Sequence, residues 1–247
     1  MGDKNIKLIL SYDGSHYHGW QRQKNCITVQ EVIEEKIQIM FKEPLKLFAS
    51  GRTDAGVHAI NQVCNFKASS NIGPETTKKG LNSLLPEDIF VKDTAYVPLD
   101  FHARYSAKSK IYEYRILNRK DPDIFRRNYL WHIPAPLNSK EMEKCLSLLV
   151  GRHNFASFRS SGSGNIDPVR SVTRAELHYS ENGLFRLVIE ANGFLRHMVR
   201  NIAGTLVGVG RGKIDFEKFK EIFASRDRCQ AGVKAPPQGL FLMKVHY

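Results

Sequence analysis

The chain has 247 residues, 42% of them apolar, with 37 Lys and Arg against 25 Asp and Glu for a net charge of +12. Such a composition can bury a sizeable core and excludes a disordered chain, and apolar runs such as Leu146–Val150 are far too short for a membrane span of about 20 residues. The opening Met1–Ile6 has no apolar signal segment, and Ile6 stands where a myristoylation motif has Ser or Thr, so the expectation is a soluble, cytoplasmic protein with no membrane role.

Ile6–Tyr12 alternates as a strand and stops at the turn pair Asp13-Gly14. Thr28-Val29-Gln30-Glu31 spells a capping box, and Val29, Val32, Ile33, Ile37, Met40 and Phe41 recur behind it at helical spacing until Pro44. Strands are predicted over Leu45–Ala49 and His58–Phe66, a helix over Glu75–Leu85 stopped by Pro86, and a strand over Ile89–Val97 closed by Pro98. The order β-α-β-β-α-β is the ferredoxin-like pattern, a mostly antiparallel sheet with helices on one face.

The second half reads similarly, with longer insertions. Strands are predicted over Lys110–Leu117, Tyr129–Ile133, Val172–Tyr179, Leu184–Ala191 and Gly239–His246. Helices are predicted over Ser139–Val150 behind the cap Asn138, from Phe194 to about Val207, and over Phe216–Ala224. Ser160–Asn165 reads as a flexible loop. The fold class is therefore α/β (α+β), two ferredoxin-like or RRM-like units: an N-terminal unit over residues 1–104 and a C-terminal α/β unit over residues 105–247.

Cys26, Cys64, Cys145 and Cys229 form no C-x-x-C pair, so buried reduced thiols are expected. Gly210-Arg211-Gly212-Lys213 fails as a P-loop, because position 207 is Val and Lys213 is followed by Ile214. His16 and His18 have no acid-and-cysteine set beside them, so no metal site is predicted. From His102 to His132 there are eight basic residues against three acids, with Tyr105, Tyr112, Tyr114, Phe125, Tyr129 and Trp131 interleaved. Cations for phosphates and rings for unpaired bases suit an RNA surface, whereas the plainer reading is a solvated strand face with its aromatics in the core.

The stretch Ser50–Ala59 carries the chemistry. Gly51 and Gly56 frame a cation, a hydroxyl and a carboxylate (Arg52, Thr53, Asp54) between two predicted strands, a composition suited to a site held out by a rigid sheet. By themselves these residues are equally open to an Arg–Asp pair that merely staples a loop. The segment, however, closely resembles the GRTDAGVHA signature of the TruA family of tRNA pseudouridine synthases. Four further stretches agree in order: Tyr12–Gln23 with the start of the first helix at Thr28-Val29-Gln30; Phe101–Ala107 with Tyr112-Glu113-Tyr114; Phe194–Asn201; and Gly239-Leu240. The resemblance spans essentially the whole chain, and the loop near residues 160–166 departs from it.

The resemblance implies the pseudouridine synthase fold and the isomerisation of uridine to pseudouridine at about positions 38 to 40 of the tRNA anticodon stem-loop. It implies no cofactor, a homodimer that shares one tRNA, and Asp54 as the catalytic residue. Tyr112 would stack on the target uracil, Arg52 would hold the flipped nucleotide or its phosphate, and Arg200 would keep the carboxylate ionised against the effect of burial. On the predicted helix Arg200 lies about 140° from the stripe of Leu195, Met198, Val199, Ile202 and Leu206. Two alternatives remain: the same chemistry at another tRNA position, and a non-catalytic protein of paired RNA-binding units.

Overall fold

Along the first strand, β1 (Lys4–Tyr12), Ile6, Leu8, Leu10 and Tyr12 are buried and the residues between them half-exposed, the period of two that a one-sided sheet requires. The computed structural model describes residues 3–162 and 167–247, and the chain divides into two units, Met1–Lys108 with Leu242–Tyr247, and Ser109–Phe241. The remaining elements of the first unit are α1 (Val29–Phe41), β2 (Phe48–Ala49), β3 (His58–Ala68), α2 (Pro74–Leu84) and β4 (Ile89–Val97). β1 pairs antiparallel with both β3 and β4, and the short β2 adds to β3 through Phe48 opposite Asn65. The strand order 4-1-3-2 is the ferredoxin-like one. Val29, Ile33 and Ile37 of α1 and Leu81 of α2 are fully buried, each such side chain contributing about 1.5–3 kcal/mol of transfer free energy.

The second unit holds β5 (Ser109–Leu117), β6 (Trp131–His132), α3 (Ser139–Ser147), β7 (Gly151–Asn154), β8 (Val169–Tyr179), β9 (Leu184–Ala191), α4 (Met198–Gly210) and α5 (Phe216–Ser225). β5 pairs antiparallel with β9, β9 with β8 and β8 with β7. The order β5-β9-β8 repeats the β1-β3-β2 arrangement of the first unit. A final strand, β10 (Leu240–His246), closes the chain. The expected loop at Ser160–Asn165 runs into residues 163–166, which lie outside the described residues.

Several elements depart from the sequence expectation. At α1, Thr28 is the N-cap, yet its side chain makes no capping bond, and its hydroxyl is buried with no partner among the described residues. The carbonyls of Gly19 and Trp20 take the Val29 and Gln30 amides of the first turn, and the Glu31 carboxylate faces Arg22 at 3.3 Å. At α3 the same chemistry works: Asn138 accepts from the Glu141 amide at 3.3 Å. The strands predicted over Leu45–Ala49 and Tyr129–Ile133 shrink to two residues each, α3 ends three residues early at Ser147, and β7 was not expected.

The largest correction concerns the helix predicted from Phe194. It begins only at Met198, after His197 in the left-handed region at φ 61°, so Leu195 is not on it. The helix then runs on through Gly208 to Gly210. Its glycines are contact points: a Cβ on Gly204 would stand 1.7 Å from the Val233 carbonyl oxygen, and one on Gly210 2.7 Å from Met142 Sδ. The close approach of neighbouring chain offsets the usual helix-interior penalty of about 1 kcal/mol per glycine. Of the cysteines, Cys64 and Cys145 are buried as expected, while Cys26 is half-buried and Cys229 exposed; all four are free.

Candidate active site

The loop between β2 and β3 hangs on the first unit through main-chain bonds to the preceding N-terminal segment. Trp20 N–H donates to the Thr53 carbonyl at 3.0 Å, Gly56 N–H to Tyr17 O at 3.3 Å, and Val57 N–H closes a turn on Asp54 O at 3.1 Å. This contact is close because the N-terminal segment is glycine-bearing. A Cβ on Gly14 would sit 2.1 Å from the Val57 carbonyl oxygen, and Gly19, at φ +90°, lies against Thr53 O. Tyr17 anchors that segment from behind, donating its hydroxyl to Asp88 Oδ1 at 2.6 Å.

At the far side of the loop, His58 is buried with Nδ1 3.0 Å from Asp13 Oδ1 and 3.1 Å from Gly14 N. A protonated Nδ1 donates to the carboxylate and a bare one accepts the amide, so either state ties β3 to the segment at 13–14. Asp13 in turn accepts from Ser15 N–H at 2.9 Å and Ser15 Oγ–H at 2.6 Å. On this scaffold Arg52 is exposed and Asp54 half-buried. The loop can therefore present one carboxylate and one guanidinium from a fixed backbone, which is what nucleophilic or proton-transfer chemistry at a bound base needs.

A second irregular segment of the same unit, Pro98–Tyr105, is pinned by buried amides. Asn5 Nδ2 donates to Pro98 O and to Phe101 O, both at 2.9 Å, Asn65 Nδ2 donates to Asn5 Oδ1 at 2.9 Å, and Ala103 N–H donates to Asn65 Oδ1 at 2.8 Å. From this anchor a row of rings emerges: Phe48 to His102 at 4.9 Å between centroids, and His102 to Tyr105 at 4.4 Å. Lys46 lies 5.4 Å over Phe48 and Arg104 5.6 Å over Tyr105, whose side chain is 76% exposed. Rings edged by cations form a surface for stacked bases and phosphates.

Tyr112 and Arg200 belong to the second unit. Tyr112 and Tyr114, on one face of β5, are both buried, Tyr112 edge-on to Phe194 at 4.9 Å. Tyr114 Oη donates to Pro236 O at 2.7 Å; burial drives its phenol well above the ordinary value, with Arg200 acting in the opposite direction. Arg200 is buried on α4 and its Nε donates to Ala235 O at 2.8 Å. It is no solvated arginine, although it lies off the apolar stripe expected of its helix. Arg52 and Asp54 are thus brought together on one loop, and Tyr112 and Arg200 lie on β5 and α4 of the other unit.

The basic stretch His102–His132 proves mixed. Arg115 is tied to buried Glu113 at 2.6 Å and lies 3.8 Å over the Phe241 ring. Asp123 accepts from Arg126 Nε at 2.8 Å, and that bond, with the Arg126 amide, holds its carboxyl below the usual range. Lys120 and Arg127 are exposed, and Phe125 is 92% exposed beside them. Among the described residues no cluster of His, Cys, Asp and Glu could hold a metal ion, and no helix is long and apolar enough to cross a membrane.

The fold and the loop agree with known proteins. The family model described as tRNA pseudouridine synthase matches residues 8–106 and 146–247, which marks the fold as the α+β pseudouridine synthase fold. A tRNA pseudouridine synthase A of Thermoanaerobacter sp. (strain X514) is 48% identical over 244 residues, covering 99% of this chain and 100% of that protein. The proteins of the same name from Caldicellulosiruptor saccharolyticus and Acetivibrio thermocellus are 46% and 43% identical, again over 99% of this chain and 100% of each relative. The chain belongs to the tRNA pseudouridine synthase family and is an isomerase.

Proposed function

We propose that this enzyme converts uridine to pseudouridine at about positions 38 to 40 of the tRNA anticodon stem-loop, with Asp54 as the catalytic carboxylate and without a cofactor. The observation that carries the reading is the Asp54 loop: a Gly-Arg-Thr-Asp-Ala-Gly stretch held by Trp20, Tyr17 and Val57 in a chain similar over its full length to enzymes named for this reaction. In the isomerisation the N1–C1′ bond breaks, the base turns in its pocket, and a C1′–C5 bond forms. C5 gives up its proton and N1 gains one, so nothing is exchanged with a co-reactant. An ionised carboxylate serves each open route: attack at C1′, attack at C6, or removal of a sugar proton.

In this reading Tyr112 stacks on the uracil, Arg52 holds the extruded nucleotide or its phosphate, and Arg200 keeps Asp54 charged. Extrusion costs a few kcal/mol of unstacking, offset by phosphate and ring contacts. The row from Phe48 to Tyr105, with Lys46 and Arg104, and the exposed Lys120, Phe125 and Arg127 supply such contacts. The enzyme acts in the cytoplasm as a homodimer, two subunits sharing a tRNA much longer than either. Incubation with unmodified tRNA transcript and mapping of pseudouridine position by position tests the reading: signal confined to positions 38 to 40 is expected, signal elsewhere moves the target, and none leaves an RNA-binding protein.

A further inference from the structure

Under the loop that carries Asp54 lies a set of buried polar side chains, Tyr12, Ser50, Thr53 and Gln62, with Gln62 completely inaccessible. Its Nε2 stands 2.9 Å from the Gly51 carbonyl oxygen. A carbonyl only accepts, so the orientation of the amide follows. Oε1 then accepts from Ser50 Oγ–H at 2.7 Å and from the Val63 amide at 3.2 Å. The remaining Nε2 hydrogen faces Tyr12 Oη at 3.5 Å. Burial raises the Tyr12 phenol far above its ordinary value, so it keeps its proton, and with a lone pair toward Gln62 its O–H is donated to Thr53 Oγ1 at 2.8 Å. One amide therefore grips the loop at Ser50 and Gly51, and through one phenol at Thr53, the residue before Asp54.

We propose that Gln62, acting with Tyr12, is a positioning residue for catalysis, holding residues 50–53 in a single conformation so that Asp54 keeps its aim at the target nucleotide. The proposal rests on the reading of Asp54 as the catalytic carboxylate. Three of these bonds end on polar groups of the loop itself, and the pairing of β1 with β3 is made by main chain without them. An apolar side chain at 62 would fill the same space yet leave the Ser50 hydroxyl and Gly51 carbonyl without this partner, freeing the loop while leaving the strands paired.

The test uses the full-length enzyme with unmodified tRNA transcript, measuring the single-turnover rate at saturating enzyme apart from the dissociation constant, with a thermal melt to confirm folding. Gln62→Met, similar in length, with no donor and only a weak thioether acceptor, should lower the rate roughly 10- to 100-fold, the scale of an ångström's misplacement, and leave affinity within about three-fold. Tyr12→Phe should lower the rate roughly 3- to 10-fold, and the double variant should lose less than the product of the two, because both act through one loop. A folded Gln62→Met with an unchanged rate, or with rate and affinity lost in parallel, overturns the proposal. Should that variant not fold, Tyr12→Phe decides, and an unchanged rate there overturns it equally. Asp54→Asn is run alongside. If it is inactive the catalytic reading stands whatever Gln62 does; if it is active, that reading falls and the action of Gln62 through Asp54 falls with it.

Discussion

Two irregular segments of the first unit are held by the same device and put to different use. Gln62 and Asn65, three residues apart on β3, are both buried amides; Gln62 bonds into the Asp54 loop and Asn65 into Phe101–Ala103. The first segment keeps its carboxylate half-buried over a polar bed, whereas the second turns Arg104 and Tyr105 fully outward. An amide can serve both because it donates and accepts at once, satisfying main-chain groups that no regular ladder reaches. In the proposed reading, bracing beneath Asp54 holds direction, whereas beneath Arg104 and Tyr105 it holds only the base from which long side chains adapt.

The sharpest break of the comparison is Asp54→Asn, expected to lower isomerisation by about a thousandfold or more while tRNA affinity stays within a few-fold, since many cations carry binding. Rate and filter-binding measurements on one preparation check it; appreciable turnover would falsify the role. On the other segment, Asn65→Leu takes from the Ala103 amide and from Asn5 Oδ1 the partner that each has in Asn65. It should reduce unfolding free energy by about 2–4 kcal/mol in urea titrations, a loss of stability where Gln62→Met loses rate.

Removing only what the second segment displays should look different again. Arg104→Ala with Tyr105→Ala should weaken tRNA binding roughly ten-fold and flatten the salt dependence of affinity by about one phosphate contact. Its melting temperature and its rate at saturating enzyme should stay as they are. A rate loss without an affinity loss would show that this segment, too, is aimed at the chemistry. The smallest effect is one of pH. Burial pushes the Cys145 thiol up to about 11 and the Tyr12 and Tyr114 phenols higher still. Above pH 9 the unfolded chain loses these protons first, so stability should be fully present below about pH 9 and fall as pH rises toward 11. Melting curves at pH 8 and pH 10.5 check this, and a level melting temperature would contradict it.

Much of this molecule was legible from neighbouring residues alone. β4 and β9 have the bounds that alternation and turn residues predict, Asn138 caps α3, and the Arg52–Asp54 loop falls between two strands. These features depend on periodicity, capping and turn chemistry, which adjacent side chains encode. Tertiary structure decided the rest. The sequence expectation ends α4 at about Val207, yet the helix runs on through Gly208 and Gly210, where a Cβ would meet Ile214 and Met142 at 2.9 and 2.7 Å. Thr28 spells a cap whose side chain makes no capping bond, while the first-turn amides of Val29 and Gln30 go to the distant carbonyls of Gly19 and Trp20. Gln62 and Asn65 left one trace in the sequence, amides among the apolar residues Val63, Cys64 and Phe66 of a predicted strand, but their partners lie at residues 12, 50–51, 5 and 103. A hydrogen bond is met across space, and only the folded chain brings its two ends together.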